Sequence, residues 1–127
     1  MSPSALVLVV EDDPETRRYY ADALSRGGFE THEAHNGLQA LQKALELRPS
    51  LILTDIVVPG IDGIELVRRL RADERTSSIP VIAITGYDDR HYVDRALGAG
   101  AVHVLAKPCD SDVLISEARQ ILADRLR

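Results

Sequence analysis

Cysteine is almost missing from this chain of 127 residues, with Cys109 the single example. One thiol cannot close an internal disulfide, so the core must hold the fold, and a reducing, cytoplasmic setting is expected. Long hydrophobic runs are missing too. The N-terminal stretch MSPSALVLVVEDD is apolar for only six residues before acids begin. That is too short for the hydrophobic region of a signal peptide, and it lacks the basic flank. Nothing approaches the roughly 18 apolar residues of a membrane span. A strong excess of charge is absent as well. The net charge of −5 argues against broad binding to nucleic acid or to an anionic membrane. Sequence repeats of fixed period and low-complexity segments are not found.

What is present describes one globular domain. Hydrophobic residues make up 45% and charged residues 28%, a balance typical of folded soluble chains. The length supports one sizeable core and is too short for two ordinary domains. The expectation is therefore a single domain over 1–127 with no output domain, linker or tail. Five apolar runs lie at 6–10 (LVLVV), 29–34 (FETHEA), 51–54 (LILT), 80–84 (PVIAI) and 102–105 (VHVL). Those that are apolar throughout and rich in β-branched residues suit central parallel strands covered on both faces. The second alternates, which places it at a sheet edge.

Between the runs, apolar residues recur at helical spacing. Tyr20, Ala23 and Leu24 form one stripe, ended by Gly27 and Gly28, and Leu38, Leu41 and Leu45 form another behind an Asn36 N-cap. Ile64, Val67 and Leu70 follow. Val93, Ala96 and Leu97 come next, ended by Gly98, and Leu114, Ala118, Ile121 and Leu122 make the last, capped by Asp110. The rules used are those for helix starts and stops. Strand and helix alternating five times predict a parallel α/β domain with right-handed crossovers.

The distinctive polar residues sit where the strands end. Glu11, Asp12 and Asp13 follow the first, Asp55 ends the third, Thr85 follows the fourth and Lys107 the fifth. Open α/β sheets bind ligands outside the carboxyl ends of their strands. Each residue taken singly has an ordinary explanation: an acid in a first helical turn, a threonine as a turn residue, a lysine in solvent. Together they describe chemistry. Crowded carboxylates resist ionisation unless a hard cation lies among them, and Mg²⁺ fits that role through oxygen ligands and water. A carboxylate can also attack phosphorus to form an aspartyl phosphate, with a lysine and a hydroxyl stabilising the phosphoryl oxygens.

The segments VLVVEDDP, LTDIVVPGIDGIEL, PVIAITG and LAKP resemble, in order and spacing, the four signatures of response-regulator receiver domains. The resemblance covers nearly the whole chain. It implies a doubly wound (βα)5 fold with a five-stranded parallel sheet of order 2-1-3-4-5, the flavodoxin-like arrangement for which a receiver protein is itself a standard example. It also implies two-component phosphorelay signalling. Asp55 would be the phosphoacceptor, and Glu11, Asp12 and the backbone carbonyl of Val57 the Mg²⁺ ligands. Thr85 and Lys107 would bind the phosphoryl group and act as the switch, and Lys107–Pro108 would be a cis peptide bond. The partners implied are a histidine kinase or a histidine phosphotransfer protein, with a phosphorylation-dependent homodimer as a further expectation. No direct contact with nucleic acid or membrane is implied.

Departures from the family pattern qualify that picture. Glu11 stands where aspartate is commoner, Gly86 where alanine is usual, and Cys109, a small apolar filler, where an aromatic often follows Lys-Pro. Val104 replaces a Tyr or Phe whose rotamer reports phosphorylation in many members, so the conformational read-out cannot use it. By the same resemblance, Val57 and Tyr87 would border the approach of hydrolytic water, and neither residue type readily orients water. The four histidines read as surface residues, and Arg68, Arg69 and Arg71 as the solvent face of the third helix. Two other functions compete. A Mg²⁺-dependent phosphatase or phosphotransferase would want an acid two residues after Asp55, where Val57 stands. A phosphorylation-independent interaction module would be expected to have lost site residues. The chain is expected to catalyse only its own phosphorylation and dephosphorylation.

Overall fold

The computed structural model describes residues 5–86 and 90–125. Five strands alternate with five helices: β1 Leu6–Val10, α1 Pro14–Arg26, β2 Glu30–Ala34, α2 Gly37–Leu47, β3 Leu51–Asp55, α3 Gly63–Ala72, β4 Val81–Thr85, α4 Arg90–Ala99, β5 His103–Ala106 and α5 Ser111–Arg125. All strand pairs are parallel, and the sheet order is β2-β1-β3-β4-β5. The strand–helix alternation led us to expect the parallel pairing, and the family resemblance this doubly wound order. The edge position of β2 agrees with its alternating sequence.

Side chains along each strand point alternately to the two faces, so the apolar runs feed two cores. Leu8, Val10, Ile52, Val81 and Ala83 pack with residues of α2, α3 and α4. Val7, Val9, Leu51, Leu53, Ile82 and Ile84 pack with Tyr20, Ala21 and Leu24 of α1 and Leu114, Ala118 and Ile121 of α5. Residues buried on both faces must be apolar at every position, which is why β1, β3 and β4 read as unbroken runs. Cys109 joins the second core as a buried filler.

Helix starts follow side-chain chemistry. Asp13, Asn36 and Asp62 cap α1, α2 and α3, each accepting from the backbone N–H three residues on, which satisfies donors the helix cannot. Asp110 does related work before α5, accepting from the Asp112 N–H at 2.9 Å.

Three details differ from the sequence expectation. In α2 the buried face is Gly37, Ala40 and Ala44, while Leu38 is 58% exposed. The helix lies so close to its neighbours that only small residues fit: a Cβ on Gly37 would meet Ile61 at 2.3 Å. Helix α4 runs through Gly98 to Ala99, and the positive φ of +120° falls at Gly100 instead. Arg71 does not simply face solvent. It is half-buried, donates to the carbonyls of Ser77 at 3.2 Å and Gly100 at 3.1 Å, and so ties α3 to the loop before β5. Its companions Arg68 and Arg69 do lie outward, paired with Glu65.

Candidate functional site

At the carboxyl end of the sheet, an open cleft of about 460 Å³ is lined by Glu11, Asp12, Asp13, Asp55, Val57, Gly86 and Lys107. Parallel pairing of β1, β3, β4 and β5 brings these residues together from positions far apart in the chain.

Asp55 is the last residue of β3 and only 8% exposed. One carboxylate oxygen accepts the Val57 N–H at 3.0 Å, and the other accepts from the Lys107 ammonium. Glu11 is more deeply buried. Its Oε1 accepts from Lys107 Nζ at 2.8 Å and its Oε2 from the Asp13 N–H at 3.2 Å. Burial pushes the Glu11 carboxyl up to about 7, against the pull of Lys107. Burial works against the Lys107 charge too, but hydrogen bonds to Asp55 and Glu11 outweigh it and hold the ammonium above its usual range. The lysine is thus the cation that makes two adjacent buried carboxylates tolerable. Asp12, one residue past Glu11, is exposed at the cleft mouth.

Local backbone shapes the wall. Gly60 has φ +83°, a conformation that favours glycine, and it completes the turn that follows Val57. Gly63 allows α3 to start against the end of β3: its N–H donates to the Ile56 carbonyl at 2.7 Å, and a Cβ there would meet the Asp55 carbonyl oxygen at 2.4 Å. The site therefore depends on Gly63, a residue the motif reading passed over. The visible signal was a glycine directly after the Asp62 cap.

Thr85 closes β4 and is 3% exposed; its carbonyl accepts the Lys107 N–H at 2.8 Å. It adjoins the cleft without lining it. The Lys107–Pro108 peptide bond is cis. Val104 lies up β5 from the cleft, half-buried against the core beneath α4. Tyr87 lies outside the described residues. His32 and His103 are at the surface beside Glu30 and Glu117.

The family pattern for the response regulator receiver domain matches residues 7–119. The chain belongs to the response-regulator receiver family. It is a receiver domain of two-component signalling. The polar-differentiation response regulator DivK of Brucella anthropi is 34% identical over 118 residues, 93% of this chain and 96% of that protein. The transcriptional regulatory protein CseB of Streptomyces avermitilis is 39% identical over 96% of this receiver but only 51% of its own length. Like CseB, other transcriptional regulators that match are about twice as long as this chain. The crystal structure of the signal receiver domain of a signal transduction histidine kinase from Syntrophus aciditrophicus superposes with a TM-score of 0.89 at 33% identity, covering 95% of this chain and 92% of that one. Among the described residues no helix is long and apolar enough to cross a membrane.

Proposed function

We propose that this receiver takes a phosphoryl group onto Asp55 from a phosphohistidine of a histidine kinase or phosphotransfer protein, with Mg²⁺ in the cleft. The observation that carries this reading is the Lys107 ammonium bonded to both Asp55 and Glu11, a cation held where phosphoryl oxygens would arrive. In the transfer, an Asp55 oxygen attacks phosphorus, the P–O bond forms, and the P–N bond breaks with its electron pair returning to the donor imidazole. Lys107 then exchanges a carboxylate partner for a phosphoryl oxygen, stabilising charge where it develops. The Val57 N–H holds the non-attacking Asp55 oxygen and orients the nucleophile.

Among the described residues no three acid, histidine or cysteine side chains form a ready metal cage. The donors nonetheless suit a hard cation that keeps several waters and needs few carboxylates: Asp12 at the cleft mouth, Glu11 and the Val57 carbonyl would hold it. When bound, Mg²⁺ supplies neutralisation of the crowded negative charge. Val57 carries no acid or base, so turnover of small phosphate esters is not expected, and the only reactions assigned to the chain are its own phosphorylation and dephosphorylation. Phosphorylation would then shift the loop after Thr85 and change affinity for a partner, a second copy of the chain included.

The test is labelling by acetyl phosphate. Mg²⁺-dependent label that stays on the chain, and is lost in Asp55→Asn while circular dichroism is unchanged, is expected. Full labelling of Asp55→Asn would overturn the assignment.

A further inference from the structure

Arg17 lies one turn into α1 and lines no part of the cleft, yet its side chain is only 19% exposed. Its guanidinium makes two bonds in different directions. Nη1 donates to the main-chain carbonyl of Glu11 at 2.9 Å, and Nε donates to Oε1 of Glu33 on β2 at 3.0 Å. Glu33 is itself anchored, because its main-chain carbonyl accepts from Lys43 of α2. On the other side of the same residue, the Glu11 N–H donates to the Ala34 carbonyl at 3.0 Å. The main chain of Glu11 is therefore held at both its N–H and its C=O.

That carbonyl belongs to the peptide unit joining Glu11 to Asp12. A peptide unit is planar, so fixing its oxygen also fixes the bond direction into the Asp12 Cα. Asp12 has left the sheet and has no strand partner to orient it, since the β1–β3 register ends at Val10. We propose that Arg17 is a positioning residue for the acid pair: braced on Glu33, it holds the Glu11–Asp12 peptide so that the Asp12 carboxylate enters the cleft in the direction a divalent cation needs. This rests on the metal role proposed above for Glu11 and Asp12.

The planar guanidinium fork explains the residue type, because a lysine has no fixed pair of donors to bridge two acceptors. Charge and position make opposite predictions. If Arg17 acted only as a nearby cation, its removal would relieve repulsion and tighten divalent-ion binding. If it acts by holding the peptide, its removal loosens a ligand and weakens binding, as loss of supporting contacts around metal sites does.

The experiment is calorimetric titration of the unphosphorylated whole chain with MgCl₂, for the parent, Arg17→Met, Arg17→Lys, Glu33→Gln and Asp12→Asn. Arg17→Met is expected to weaken Mg²⁺ binding roughly tenfold, with Arg17→Lys recovering little and Glu33→Gln falling between. Unchanged or tighter binding in Arg17→Met overturns the proposal. If Arg17→Met fails to fold, the charge-conserving Arg17→Lys decides: weaker binding supports the brace and parent affinity overturns it. Loss of binding in Asp12→Asn without loss in Arg17→Met overturns the brace alone. Parent affinity in Asp12→Asn, or no Mg²⁺ binding by the parent, overturns the metal role and the brace with it.

Discussion

Glu11 is an acid in a place where ionisation is expensive, and that has a measurable consequence. Burial pushes its carboxyl up to about 7 in the fold, from 4.5 when unconstrained. Between those values the folded chain holds a proton that the unfolded chain has released. This group's contribution to stability is therefore greatest below about pH 4.5, declines as pH rises towards 7, and is then level. In Glu11→Gln the decline should vanish, a difference of at most about 3 kcal/mol, read by urea denaturation without Mg²⁺ between about pH 5 and pH 8. An identical slope in variant and parent would show that another group titrates. Val57 sets a second residue-scale expectation. It is 54% exposed at the cleft and offers water no side-chain hydrogen bond. Val57→Asn should shorten the life of the phosphorylated state a few-fold, about 1 kcal/mol in barrier, measured as decay of label after donor removal. Equal lifetimes would exclude this side chain from control of water access.

Among the elements, the junction of β3 with α3 is the most tightly specified. Gly63→Ala forces a methyl group against the Asp55 main chain, and backbone cannot yield as a flexible side chain can. We expect a loss of about 1–3 kcal/mol and slower phosphorylation, followed by thermal melting and by labelling rate. Gly86→Ala is the matched control. The nearest atom to its added carbon is Lys107 Cδ at 3.8 Å, and no positive φ demands glycine, so stability should hold or rise by about 0.4–1 kcal/mol. If both variants melt like the parent, the close approach at Gly63 is not limiting. Such junctions also mark how far the sequence could be read. Element types, helix starts and the place of Glu11, Asp12, Asp55 and Lys107 at strand ends were legible, because period, cap chemistry and strand ends are local signals; the strand order that brings those ends together came from the family resemblance. The buried face of α2 was not. Leucine spacing pointed to Leu38, Leu41 and Leu45; Leu41 does pack against the core, but Gly37, Ala40 and Ala44 take the buried positions and Leu38 faces outward. Close approach to another segment, here Ile61 against Gly37, is a property of the packed domain, and no single helix encodes it. Arg71 and Arg17 were missed for a similar reason: Arg71 donates to main-chain carbonyls and Arg17 to one carbonyl and a carboxylate on distant β2, partners that carry no signature near either arginine in the sequence.

The whole molecule is a sheet with a separate core on each face, and the site hangs on both. Ile82 of β4 is fully buried among residues of both neighbouring strands. Ile82→Ala should cost about 2–5 kcal/mol in denaturant melts, with Mg²⁺ affinity retained in the fraction that stays folded. Lower affinity in that folded fraction would mean the core, and not only the strand ends, shapes the cleft.

The bond between Lys107 and Glu11 spans 96 positions of the chain. During synthesis, Glu11, Asp12 and Asp55 leave the ribosome long before their ammonium partner does. A nascent chain halted ahead of β5 carries the acids without the lysine that reconciles them. Under the proposed function, competence to receive a phosphoryl group requires that residue 107 has emerged and its strand has docked.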